Sequence, residues 1–256
     1  MRQRAALTDD FIIAILETVV MIEETYITRL SAWAPGIGGL TLSSYGEWDE
    51  WAQGRRSILT EEKAPELAYT NATFRRRLSQ ISKMVIQVIH DLLPLGEDTK
   101  ILFFSFRGEL SREYQLFKAL KEEGEVSPAA FSLSGFNTPV ALASIAFGLK
   151  GGYSAVYPVN NSFFTCVKTA EAMLHSGITK DLVLVYADEN VPPECGRFFK
   201  EYPAPAAFAL LLSRNSLGVS LSSLKGEEDD PLVFLKRLLL CGKLHGSVNS
   251  VTGNAD

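Results

Sequence analysis

The sequence predicts an α/β domain, a mostly parallel mixed sheet with helices on both faces. Three observations carry this. Residues 101–104 (Ile-Leu-Phe-Phe) and 182–186 (Leu-Val-Leu-Val-Tyr) are apolar without alternation, as strands buried on both faces are. Longer segments of helical period stand between and around such runs, each closed by glycine or proline. With 256 residues, 46% of them hydrophobic, the chain has enough apolar side chain for one large domain with a full core.

Residues 1–22 read as an N-terminal extension. Arg2 and Arg4 ahead of the apolar residues 11–16 suggest a leader peptide, but Asp9, Asp10 and Glu17 interrupt it and no small-residue cleavage site follows. The segment is expected to be an amphipathic extension, or sequence upstream of a start near Met21. No apolar run reaches the roughly 18 residues that a membrane span needs.

The main domain is expected over 23–224. Residues 25–30 alternate and predict a first strand. The glycine-rich loop 34–40 is no phosphate cradle, because neither a Walker lysine nor dinucleotide-binding spacing follows. Trp48 and Trp51 fall in a polar, loop-rich insertion reaching about Leu67, and are expected to fasten it down. Phe74, Leu78, Ile81, Val85, Val88 and Leu92 recur at steps of four and three, which predicts one long helix closed by Pro94. Arg75, Arg76 and Arg77 begin it, either as a solvated turn or as a patch for an anionic partner. A helix over 109–123 turns Leu110, Tyr114, Phe117 and Leu120 inward and ends at Gly124. Thr138 is expected to cap the next helix, with Pro139 first inside it. That helix, 140–148, is rich in small residues that permit close approach.

A strand over 153–159 leads into a corner, Asn160-Asn161-Ser162. A helix over 163–175 follows, with Phe163, Val167, Ala170 and Leu174 on one face and Gly177 as its stop. Residues 191–195 are a loop. Residues 206–212 and 217–221 flank Ser213-Arg-Asn-Ser216 and read as a hairpin. Residues 225–256 form a charged linker, a last helix from Pro231 and a polar tail.

The net charge of −5 gives no support to a nucleic-acid partner. Cys166, Cys195 and Cys241 lack metal-ligand spacing, so no metal is expected; sparse free thiols fit a reducing cytoplasm. No cofactor motif is present.

The corner is the chemically informative place. A strand-to-helix corner sets a side chain against unpaired N–H groups and the positive end of a helix dipole. The run from Gly152 through Asn160-Asn161-Ser162 and Cys166 to Gly177, followed by residues 181–186, resembles the active-site segment of β-ketoacyl synthases. Residues 104–114 (Phe-Ser-Phe-Arg-Gly-Glu-Leu-Ser-Arg-Glu-Tyr) and 127–137 narrow the resemblance to the N-terminal ketosynthase-like, chain-length-factor-like subunits of aryl-polyene-type biosynthesis. The resemblance implies a thiolase-like half-fold, the N-terminal half of a ketosynthase, with helix 140–148 beside a partner surface. It covers residues 25–213. Counted back from Gly177, the family's nucleophilic cysteine falls on Asn160; Cys166 lies too far into the helix to be that cysteine.

The resemblance also says what condensation requires: a thiolate to carry the acyl chain and two histidines to stabilise the enolate and thioester oxyanion. An amide nitrogen is not nucleophilic, so Asn160 forms no acyl thioester, and Asn161 reads as a cap. Ser162 has no histidine base placed for it. Of the histidines, His90 and His175 end helices, where a cation suits the dipole, and His245 lies in the tail. No catalytic residues, no cofactor and no metal are therefore expected. Phe136, Asn137, Phe163 and Phe164 are candidates for an acyl tunnel or an interface. The reading is a non-catalytic, chain-length-factor-like subunit in the cytoplasm, paired with an active β-ketoacyl synthase and served by an acyl carrier protein. An acidic carrier would need local basic patches. The alternatives are an acyltransferase acting through Ser162 or Cys166, and a homodimeric scaffold. A half-fold is further expected to expose the apolar face that a second half would cover.

Overall fold

The computed structural model describes residues 24–158, 162–198, 204–215, 217–224 and 229–242. The core is one seven-stranded sheet. β1 (Tyr26–Ala34), β2 (Gly38–Gly39), β3 (Lys100–Phe104), β4 (Tyr153–Val156), β5 (Asp181–Asp188), β6 (Ala206–Ser213) and β7 (Val219–Ser220) lie in the order β2-β1-β6-β5-β3-β4, with β7 beside β1. β3 runs parallel to β4 and to β5, while β6 runs antiparallel to β5 and to β1. β6 thus runs against β1, β3, β4 and β5, which share one direction.

Helices cover both faces, and the strand residues divide between them as the pleat requires. Leu102, Phe104, Leu182, Leu184, Tyr186 and Phe208 join a cluster with α7 (Phe163–His175), α8 (Pro231–Leu240) and α1 (Tyr45–Ala52). Ile101, Phe103, Val183, Val185 and Ala207 face α3 (Gln80–His90) and α6 (Thr138–Phe147). α2 (Ala72–Arg75), α4 (Leu110–Glu123) and α5 (Pro128–Phe131) complete the described helices apart from short 3-10 turns.

The structure departs from the sequence reading in five places. The long helix from Phe74 to Leu92 is two. α2 ends at Arg75 and α3 restarts at Gln80, where the Ser79 hydroxyl accepts the Ser82 N–H at 3.1 Å and caps the new start. The tryptophan insertion contains α1, and Trp48 and Trp51 are buried against α8 rather than merely holding a loop down. The expected hairpin does not form, because β7 pairs with β1, through Tyr26 and Ile27. Gly218 permits this approach: a Cβ there would lie 2.3 Å from the Ile27 carbonyl oxygen. Asn137 rather than Thr138 precedes the first turn of α6. Finally, α4 buries none of its residues. Its stripe of Leu110, Tyr114, Phe117 and Leu120 is real, but Leu110 and Tyr114 are only half-buried and Phe117 and Leu120 are exposed.

α8 belongs to the main core. Phe234, Leu235, Leu238 and Leu239 are buried in it, Tyr45 donates its hydroxyl to the Leu239 carbonyl at 3.2 Å, and Lys236 sits over the Trp51 ring at 5.1 Å.

Candidate functional site

The C-terminal ends of β4, β3 and β5 lie side by side, the edge at which open α/β sheets bind ligands. Three segments leave it: the corner after β4, residues 105–109 after β3, and residues 189–190 after β5.

Asn160 and Asn161 lie outside the described residues. Ser162, rather than the expected Asn161, is the N-cap of α7. Its hydroxyl oxygen accepts the Thr165 N–H at 3.3 Å, and its carbonyl accepts the Thr165 hydroxyl at 2.6 Å. The Phe164 N–H is taken by the carboxylate of Asp229 at 2.7 Å. Ser162 is thus engaged as a cap. Cys166 is buried one turn inside, and burial pushes its thiol up to about 11, so it is protonated at neutral pH.

At the ends of β3 and β5 is a buried polar lattice. Asp188 ends β5 fully enclosed. It accepts the Ser105 hydroxyl at 2.7 Å and the N–H groups of Phe106 at 3.2 Å and Arg107 at 3.1 Å, and it pairs with the Arg107 guanidinium at 3.5 Å. Burial pushes its carboxyl up, while Arg107 and Ser105 pull it back. Gly108 makes the turn possible: its φ is +59°, and a Cβ would lie 2.7 Å from Phe136 Cδ2. Glu109, also fully buried, accepts the hydroxyls of Ser79 at 2.7 Å and Ser82 at 2.6 Å and the Arg112 Nε–H at 3.2 Å. Glu189 accepts the Ser111 N–H at 2.8 Å; burial first, then the charge of Glu109, raises it to about 7. These carboxylates bind the starts of α3 and α4 to the sheet. Tyr186 beside them is kept neutral, pushed well up by burial and then by Asp188.

Neither described histidine reaches the corner. α7 is 13 residues long, so His175 lies roughly 20 Å from its start, with Nε2 at 3.2 Å from the Thr25 hydroxyl. His90 ends α3 on the opposite face of the sheet, stacked on Tyr69 with ring centroids 3.6 Å apart and with Nδ1 3.1 Å from Asp91. Among the described residues no group of His, Cys, Asp and Glu is arranged to hold a metal, and no helix is long and apolar enough to cross a membrane.

The four binding candidates fall on two faces. Phe163 is fully buried among Phe104, Phe208 and Phe234, at centroid distances of 5.2, 6.3 and 5.1 Å, and Phe164 is half-buried next to it. Phe136 packs on Phe103 from the other side at 6.0 Å, and the exposed Asn137 donates its amide to the Tyr153 hydroxyl at 3.2 Å. The sheet separates the two pairs. Of the arginine triplet, Arg75 donates to the carbonyls of Leu67 at 3.2 Å and of Thr70, while Arg76 and Arg77 are exposed.

The description "Beta-ketoacyl synthase, N-terminal domain" matches residues 48–233, well over half of the chain. The chain belongs to this family. A chain of the ketosynthase ApeO in complex with its chain length factor ApeC, from Xenorhabdus doucetiae, is 26% identical with a TM-score of 0.65; the likeness covers 75% of this chain and 79% of that one. A chain of the ishigamide ketosynthase/chain length factor is 13% identical with a TM-score of 0.58, over 74% and 62% of the two chains. A β-ketoacyl synthase from Burkholderia phymatum STM815 is 12% identical with a TM-score of 0.52, over 74% and 59%. The last two share the fold alone. No curated protein matches the sequence. The fold is the thiolase-like fold of ketosynthases, and the chain corresponds to its N-terminal half. The near-equal shares covered make the first relative a chain of similar length, whereas this chain spans about three fifths of the other two.

The sequence reading passed over Glu109, Asp188 and Glu189. Their signal is visible in retrospect: acidic residues directly after apolar strands, at 188–189 and in the Ser-Phe-Arg-Gly-Glu run after Phe104, fall where a chain is still inside the protein.

On the α7 side of the sheet, α8 and α1 close over the cluster, and α7 turns Lys168, Thr169 and Ala172 to solvent. Large exposed apolar residues occur on α4, α5 and α6, with Phe117 at 72%, Leu120 at 51%, Phe131 at 66% and Ile145 at 73% exposure, and as Tyr153 in and Tyr157 after β4; Leu42, Ile178, Leu217 and Leu240 are exposed in other parts of the molecule.

Proposed function

We propose that this chain is a non-catalytic, chain-length-factor-like subunit that pairs with an active β-ketoacyl synthase in fatty acid or polyketide biosynthesis of aryl-polyene type. The observation that carries the reading is the start of α7. The ketosynthase corner holds asparagine where the family's thiol belongs, its serine hydroxyl is an engaged cap, and the neighbouring thiol is buried and protonated. Neither described histidine stands near. The likeness to a similar-length chain of a ketosynthase–chain length factor complex supports the partner class.

The exposed residues of α4, α5, α6 and β4 supply the surface for pairing. β4 is an edge strand with one side of its ladder open, and Asn137 and Phe136 connect it to the start of α4. Arg76 and Arg77 offer a small basic patch to an acidic acyl carrier protein in the cytoplasm. Co-expression with the ketosynthase encoded beside it, followed by size-exclusion chromatography with mass detection, tests the reading. A one-to-one complex is expected. A homodimer that ignores the ketosynthase, or acyl label taken up by this chain from an acyl carrier protein, contradicts it.

A further inference from the structure

The turn that leads into α8 carries two adjacent carboxylates that serve different helices. Asp230 caps α8, accepting the N–H groups of Leu232 at 2.7 Å and Val233 at 3.0 Å. Asp229 turns the other way and accepts the Phe164 N–H at 2.7 Å, in the first turn of α7. The arrangement is fastened from below. Phe163 and Phe234, one at the start of each helix, meet edge to face at 5.1 Å and are both buried. Further along, Leu235, Leu238 and Leu239 hold α8 in the core.

We propose that Asp229 is a built-in anion that closes the N-terminus of α7, clamped there by α8, so that the start of this helix does not stabilise negative charge on a reacting group. The start of a helix carries about half a positive charge and several unpaired N–H groups, which is what depresses a thiol pKa or holds an oxyanion there. Here one N–H is taken by Ser162, a second by Asp229, and a full negative charge sits against the dipole. Among the described residues the acidic groups at this end are Asp229 and Asp230 next to it, with the thiol of Cys166 inside α7; Lys168 is exposed to solvent. At Cys166 burial raises the thiol first, and the charge of Asp229 acts in the same direction. The inference rests on the non-catalytic reading of the corner but not on the choice of partner.

The test places a thiol at the cap. Ser162→Cys is made alone and with Asp229→Asn, which keeps an oxygen acceptor for the Phe164 N–H but removes the charge. The rate of iodoacetamide alkylation of residue 162 is followed against pH by peptide-resolved mass spectrometry, with circular dichroism and melting as checks of folding. With Asp229 in place the thiol should titrate at or above the ordinary value of about 8.5. In the Asp229→Asn background it should fall by about one unit, giving roughly tenfold more thiolate at pH 7. Asp229→Ser serves as a second uncharged variant should the Asp229→Asn protein fail to fold. A thiol already well below 8 beside Asp229, or one whose pKa is the same in both backgrounds, overturns the proposal. Incubating the wild-type chain with labelled acyl carrier protein separates the two readings: label on the chain contradicts the non-catalytic reading, whereas the thiol titration tests the charge of Asp229 by itself.

Discussion

Helix α7 has 13 residues and buries five of them, whereas α4 has 14 and buries none. Both carry an apolar stripe at helical spacing: Phe163, Val167, Ala170 and Leu174 in one, Leu110, Tyr114, Phe117 and Leu120 in the other. The stripe on α7 rests on the sheet, and α8 and α1 complete the cluster around it. Of the stripe on α4, Phe117 and Leu120 are exposed and Leu110 and Tyr114 are only half-buried. Periodicity therefore reports that a helix has a face to bury, and leaves open whether its own chain or another buries it. In this protein α7 is buried by its own chain, while α4 keeps its face largely uncovered among the described residues.

If that division is right, substitutions on the two helices separate stability from assembly. Phe163→Ala opens a cavity among Phe104, Phe208 and Phe234, and should cost about 3–5 kcal/mol in chemical denaturation. Phe117→Asp should change stability by no more than about 0.5 kcal/mol, yet weaken the complex with the ketosynthase more than tenfold in a binding titration. A Phe117→Asp protein that melts early would mean that the stripe is buried intramolecularly after all.

The lattice at the strand ends sharpens the comparison through pH. The native state holds the Glu189 proton up to about 7, while an ordinary glutamate loses it near 4.5. Between those values the native state binds more protons than the unfolded one, so stability falls as pH rises through the window, by on the order of 3 kcal/mol from this group. Glu189→Gln keeps an acceptor for the Ser111 N–H and should flatten that slope in urea titrations at successive pH values. The smallest expected effect is on chemistry. Asn160→Cys alone should yield no ketoacyl product, because His90 and His175 stand elsewhere; product from this variant would remove the non-catalytic reading.

The strands at 101–104 and 182–186 are legible in the sequence because a strand covered on both sides needs no polar alternation. The stops at Gly124 and Gly177 are legible because both hold a left-handed backbone, with φ of +78° and +75°. The pairing of β7 is not legible: nearness in sequence favours a hairpin with β6, while the contact that decides it is the passage of Gly218 over Ile27, nearly two hundred residues away in the chain. The break at Ser79 is hidden by a period that continues through it. At the corner, the resemblance puts Asn160 where the family has its thiol, but the closure of α7 by Asp229 depends on a fold that returns residue 229 to residue 164.

Hydrogen exchange on this chain, with and without the ketosynthase, tests the central claim most directly. The account predicts that binding slows exchange in α4 and β4 and leaves α8 unchanged. Protection confined to α7 and α8, with α4 exchanging as freely as before, would contradict it.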